Sequence, residues 1–87
     1  MPITVEFFGI PRARAGVAHT VADGETLGDV ISFLAARFPR LADDCFEGPT
    51  LKPGYTANLR GDQFTTDPAT LIKPNDLILI LSLDAGG

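Results

Sequence analysis

The chain has 87 residues, 45% of them apolar, with dispersed charges and one cysteine; this is the size and composition of a single folded domain, residues 1–87, and not of a disordered segment. A net charge of −4 with no basic stripe argues against nucleic acid as a partner, and Cys45 standing alone excludes an internal disulfide or a cysteine-only iron–sulfur site. No apolar run reaches membrane length and no charged leader with an apolar segment opens the sequence, so the expectation is a cytoplasmic protein without membrane contact.

Ile3-Thr4-Val5-Glu6-Phe7-Phe8-Gly9 begins with apolar–polar alternation in β-branched and aromatic residues, the pattern of a strand with one face inward. Ile3, Val5 and Phe7 share that face, and Phe8 falls on the other. Gly9, Pro11 and Gly16 punctuate an expected loop or loose hairpin carrying Arg12 and Arg14. Val17–Val21 reads as a second strand, most simply antiparallel to the first, and Asp23-Gly24 as a turn.

Thr26-Leu27-Gly28-Asp29 opens the clearest helix. Thr26 can cap the first turn, and Asp29 three residues on gives a weak capping box. Leu27, Val30, Ile31, Leu34 and Phe38 fall in one stripe at helical spacing, and Pro39 stops the helix. Such a stripe has to pack on a sheet. Beyond it the pattern weakens. Leu41–Phe46 suits a short helical turn with Leu41, Cys45 and Phe46 touching the core, and Gly48, Pro49, Pro53 and Gly54 suit a loop. Tyr55–Leu59 is a third strand, Arg60-Gly61-Asp62 a turn, and Gln63–Thr65 a short returning strand. Leu71-Ile72 is placed to insert into the core, and Lys73-Pro74-Asn75-Asp76 turns the chain into its last strand.

Leu77-Ile78-Leu79-Ile80-Leu81 is an apolar run of strand length, expected to be buried on both faces. A strand of that kind wants neighbours on both sides. Placing it parallel to the first strand, with the helix as part of a right-handed crossover, satisfies this. The predicted fold is therefore α+β: a β-grasp, ubiquitin-like roll in which a small mixed sheet packs on one main helix. After the strand, residues 83–87 form a flexible tail ending in Gly86-Gly87. Two glycines without Cβ atoms allow a carboxylate to enter a narrow channel. The same glycines are also what an idle, flexible tail would contain.

Val5-Glu6-Phe7-Phe8-Gly9 with Arg12 or Arg14 and Gly16, Thr26-Leu27-Gly28-Asp29-Val30 with Leu34 and Phe38-Pro39, Ala57-Asn58-Leu59-Arg60-Gly61, and the closing strand with Gly86-Gly87 together resemble the MoaD/ThiS family of ubiquitin-like sulfur carriers. Two departures are visible: Ser82-Leu83-Asp84-Ala85 replaces a proline–valine type tail, and no glycine follows Asn58 directly. The length and the insertion between helix and third strand look closer to the molybdopterin branch than to the thiamine branch. The resemblance implies a carrier without catalytic side chains. A ubiquitin-activating-like enzyme using ATP and Mg would adenylate the Gly87 carboxylate. A persulfide donor would then convert it to a thiocarboxylate, and a sulfur-acceptor enzyme like the large subunit of molybdopterin synthase would receive the sulfur. In that scheme Gly86 and Ala85 thread a channel and Leu83 anchors the tail base. Phe8, Leu59 and Arg60 are candidates for a docking patch, where aromatic anchors dominate the energy. Two alternatives stay open: a ubiquitin-like modifier joined through Gly87 to lysine, and a β-grasp binding module whose terminus is idle.

The remaining polar residues have plainer readings. Cys45 fits a small buried residue better than a persulfide carrier. His19 has no partner at metal-ligand spacing, so no metal site is expected. Asp43-Asp44 is a solvated pair, and Gly9, Gly16 and Gly24 do not form a phosphate-binding loop.

Overall fold

The structure, a computed structural model, describes residues 2–83. Strand β1 (Ile3–Phe7) follows the alternation, with Ile3, Val5 and Phe7 buried and Thr4 and Phe8 outward. The next segment departs from expectation: Ile10–Ala15 is a short helix, α1, and not a loop. The residues taken as loop punctuation are its start and stop signals. Pro11 lies in the first turn, where its fixed φ suits a helix and its missing N–H leaves no bond unmade. Gly16 closes the helix in the left-handed conformation, φ 79°, and donates its N–H to the Arg12 carbonyl at 3.0 Å. This turn delays strand β2, which runs His19–Ala22 where Val17–Val21 was expected; it pairs antiparallel with β1.

Helix α2 (Leu27–Arg37) forms as its stripe requires, with Leu27, Val30, Ile31 and Leu34 fully buried. Thr26 Oγ1 accepts the Asp29 N–H at 3.1 Å. The Asp29 carboxylate reaches back one residue further than a capping box requires, accepting the Glu25 N–H at 3.1 Å. Gly28 lets the 68–70 segment lie against the helix: its N–H donates to the Pro68 carbonyl at 2.9 Å, and a Cβ would stand 3.1 Å from Pro68 Cβ.

Pro39 ends α2 and also begins helix α3 (Pro39–Cys45), with Phe38 as the cap between them. Leu41, Cys45 and Phe46 are buried, as anticipated. Where the helical turn gives way to the expected loop, β3 (Phe46–Glu47) and β4 (Thr50–Leu51) form a hairpin of two-residue strands, which turns at Gly48 with φ 59°. Strands β5 (Tyr55–Leu59), β6 (Gln63–Thr65) and β7 (Leu77–Ser82) complete the main sheet. Of Leu71 and Ile72 only Ile72 reaches the core; Leu71 is exposed beside the start of α2, bridged to Thr26.

The main sheet has five strands in the order β2-β1-β7-β5-β6, with β7 parallel to β1 and antiparallel to β5. This mixed sheet packed on α2 is the β-grasp, ubiquitin-like fold. One correction concerns β7. It is central, but the helices cover only one side of the sheet. Ile78 and Ile80 are fully buried, while Leu77, Leu79 and Leu81 are half-buried on the open side. Among the described residues no helix is long and apolar enough to cross a membrane.

Candidate functional site

Two regions follow from this topology: the end where β7 leaves the sheet, and the sheet face that no helix covers. β7 pairs with β1 over Leu77–Ile80 and with β5 over Ile78–Ser82, which fixes the point where it leaves the sheet. Ser82 pairs with Tyr55, and the Leu83 N–H donates to the Gly54 carbonyl at 2.7 Å. Leu83 itself is 64% exposed, so the side chain expected to anchor the tail base makes no anchor in the core. Ala85, Gly86 and Gly87, proposed from sequence as threading and reacting residues, lie outside the described residues.

The open face can be assembled from the strand registers. Thr4 and Glu6 on β1 stand beside Leu77 and Leu79 on β7, and beside Val21 and His19 on β2. Leu79 and Leu81 in turn stand beside Asn58 and Thr56 on β5, and Asn58 faces Phe64 on β6. Residues directly opposite across a ladder share a face. One transverse row therefore reads His19, Glu6, Leu79, Asn58, Phe64. Phe8, next after β1, continues the outward series and donates its N–H to the Ile80 carbonyl. Phe8, Val21 and Phe64 are 43%, 52% and 65% exposed, so the face carries large apolar groups in contact with water.

Of the three residues assigned to docking, Phe8 is exposed on the open side, whereas Leu59 lies opposite Ile78 on the helix-covered side and is buried, out of reach of a partner. Alternation within β5 separates two faces without saying which one the helices cover. Arg60 is engaged in a clasp at the far end of β7 from Leu83, about 20 Å away along the strand. Its N–H donates to the Leu77 carbonyl at 2.8 Å, and its Nη1 lies 3.0 Å from both carboxylate oxygens of Asp76. The Asp76 side chain is almost wholly buried. Burial alone would raise its pKa, but the Lys73 N–H, donating to Oδ2 at 3.0 Å, and the Arg60 guanidinium together hold it below the ordinary carboxylate value. Arg60 thus locks the turn into β7. Phe64 and Val21 were missed as surface groups; for Phe64 the usable signal was an aromatic in a three-residue edge strand.

Cys45 is fully buried at the end of α3, and burial pushes its thiol pKa up against an opposing hydrogen bond from the Tyr55 side chain. That is the setting of a core residue. Among the described residues no three His, Cys, Asp or Glu side chains converge on a metal-sized site.

No protein-family model and no curated protein sequence matches the chain at a significant level. Solved structures do match. SAMP1 from Haloferax volcanii superposes with a TM-score of 0.84 at 18% identity, covering 100% of both chains. CysO of Mycobacterium tuberculosis, described as an antigen, gives 0.75 at 26% identity over 92% of this chain and 97% of its own. A putative molybdopterin converting factor subunit 1 from Pyrococcus furiosus gives 0.75 at 16% identity over 94% and 97%. The chain is a small ubiquitin-like β-grasp protein similar to these over nearly its whole length.

Proposed function

We propose that this protein is a ubiquitin-like carrier or modifier whose Gly87 carboxylate is activated by a partner enzyme and then passed to a nucleophile. The observation that carries the proposal is a central, doubly paired strand that delivers the chain at Leu83 to one edge of a compact scaffold, with four residues ending in Gly86-Gly87 beyond it. The chain acts as carrier or substrate and not as catalyst. Activation is adenylation: a Gly87 oxygen attacks the α-phosphorus of ATP held with Mg by the partner, pyrophosphate leaves, and an acyl-adenylate forms. A donor's persulfide sulfur then attacks the acyl carbon, AMP departs, and a second thiol cleaves the resulting acyl disulfide to leave the thiocarboxylate and a donor disulfide; in the modifier reading a lysine amine attacks the acyl carbon instead and AMP departs. The partner supplies positioning and charge stabilisation. The tail contributes narrowness and reach, and the open sheet face contributes the docking surface.

The likeness to SAMP1 supports the modifier reading, for a second H. volcanii structure is described as small archaeal modifier protein 1. The likeness to the molybdopterin converting factor subunit supports sulfur delivery to a molybdopterin-synthase-like acceptor. Both readings share the activated Gly87, and one experiment separates them. The full, untagged chain is incubated with its adenylating enzyme, ATP, Mg and a sulfide source, and then with cell protein. Intact mass showing one oxygen replaced by sulfur identifies the carrier. A branched peptide joining Gly87 to a lysine identifies the modifier. Neither product, with an enzyme that remains active on its own substrate, refutes the proposal and leaves the fold as an inert binding module.

A further inference from the structure

We infer that Asn58 is the polar anchor of the open sheet face: its carboxamide oxygen accepts a hydrogen bond from an N–H on a partner protein whose contacting surface is otherwise apolar and carries one basic side chain opposite Glu6. Asn58 is 4% exposed, and its Oδ1 is buried without any hydrogen-bond partner among the described residues. A buried acceptor left unpaired is costly, and folded proteins rarely leave one so. The nearest donors on its own strand are already directed elsewhere. Arg60, two residues on, gives Nη1 to Asp76, and Thr56, two residues back, directs Oγ1 to the Ala57 and Thr65 carbonyls at 3.3 and 3.4 Å. Its neighbours across the ladders, Leu79 and Phe64, have no donor in their side chains.

Phe64 is the neighbour able to make way. Its side chain is exposed and its strand is a three-residue edge, whereas Leu79 is fixed in the central strand. Oδ1 is buried in the unbound chain, so the partner's donor reaches it only as a side chain beside it shifts on docking. In the same transverse row Glu6 stands two strands from Asn58, about 10 Å away at the ordinary strand spacing. The partner therefore presents an N–H and a lysine or arginine at that separation, set in apolar surface that covers Phe8, Val21 and Phe64. The contact gives specificity more than bulk affinity, because a partner without the donor would seal an unsatisfied acceptor into a dry interface.

The identity of the partner rests on the function proposed above, but the anchor is testable without it. The ¹⁵N-labelled full chain is titrated with N-methylacetamide, a peptide-group mimic with one N–H, and separately with N,N-dimethylacetamide, which has none. The expected result is a shift of the Asn58 side-chain amide and of the Leu79 and Phe64 backbone amides that is larger with the first solute, the excess at Leu79 and Phe64 disappearing in Asn58→Leu. An equal response to both solutes, or none, overturns the inference. Thermal unfolding of Asn58→Leu guards against a structural role: the midpoint should hold or rise, since the change removes an unpaired buried polar group, and a clear fall overturns the inference. With the adenylating enzyme, Asn58→Leu should weaken binding about tenfold and Glu6→Gln roughly threefold, the range of one lost hydrogen bond and one screened ion pair. Unchanged affinity in Asn58→Leu overturns the anchor. A wild-type chain that answers the amide probe yet ignores the enzyme overturns the proposed function and leaves the anchor standing.

Discussion

Asp76 shows how a single buried carboxylate can hold a turn in place. Arg60 takes up a positive φ of 59° to donate its N–H to Leu77 and to bring its guanidinium to Asp76, while Lys73 closes the other side. Replacing Arg60 with alanine leaves that carboxylate under-compensated and should cost about 2 kcal/mol, read from urea unfolding at neutral pH. The pH dependence has a definite sign. The folded pKa of Asp76 lies below its ordinary value of 3.8. The ionised group therefore stabilises the fold above that value, and the contribution is lost as pH falls through the folded pKa. An Asp76→Asn variant should be less stable than wild type at pH 7, with the gap narrowing in acid; a gap independent of pH would contradict the clasp. Cys45 offers a second test at this scale. Burial and a raised pKa suppress the thiolate, so iodoacetamide should modify the folded protein far more slowly than the urea-unfolded chain. Alkylation at equal rates would return Cys45 to candidacy as a reactive thiol.

At the scale of elements, α2 and β7 do most to define the fold, for opposite reasons of pattern. Helix α2 is amphipathic and supplies one stripe to the core, so its contribution is concentrated at a few positions. Leu34→Ala should cost about 3 kcal/mol as a buried leucine truncation, and Thr26→Ala about 1 kcal/mol through the lost cap. Both are measurable as shifts in the unfolding midpoint, and a Thr26→Ala loss as large as that of Leu34→Ala would mean the cap does more than close one turn. Strand β7 instead depends on hydrogen bonding on both sides, to β1 and to β5. Helix α1 illustrates how local chemistry can mislead: Pro11 and Gly16 mark the edges of a helix as readily as the middle of a loop. The choice is made by what α1 packs against, namely α3 and the end of β7.

For the molecule as a whole, the proposed function puts the chemistry on the tail and the docking on the open sheet face, which makes two outcomes predictable. Residues added after Gly87 should abolish adenylation by the partner while leaving the unfolding midpoint unchanged, because the sheet is complete by Ser82. Loss of both together would mean the tail belongs to the folded body. Phe64→Asp should reduce adenylation about tenfold at sub-saturating protein, since it places a charge in an apolar contact, with little effect on stability at a side chain 65% exposed. Unaltered adenylation would place the docking surface elsewhere.

The sequence by itself determined the elements with strong periodicity: the inward face of β1, the stripe and start of α2, the central position of β7 beside β1, and with them the β-grasp. The faces of β1 and α2 rest on repeats of two and 3.6 residues, which local geometry converts directly into a face, and the place of β7 rests on an apolar run that wants neighbours on both sides. Only the tertiary structure decided which side of β5 meets the helices. Strand alternation defines two faces and leaves their assignment to the register with β7, which turned Leu59 inward and Asn58 outward. The same long-range pairing committed Arg60 to Asp76 and gathered Phe8, Val21 and Phe64, far apart in the chain, onto one open surface. Contacts of that kind depend on what the rest of the chain brings alongside, and no local window of residues contains that information.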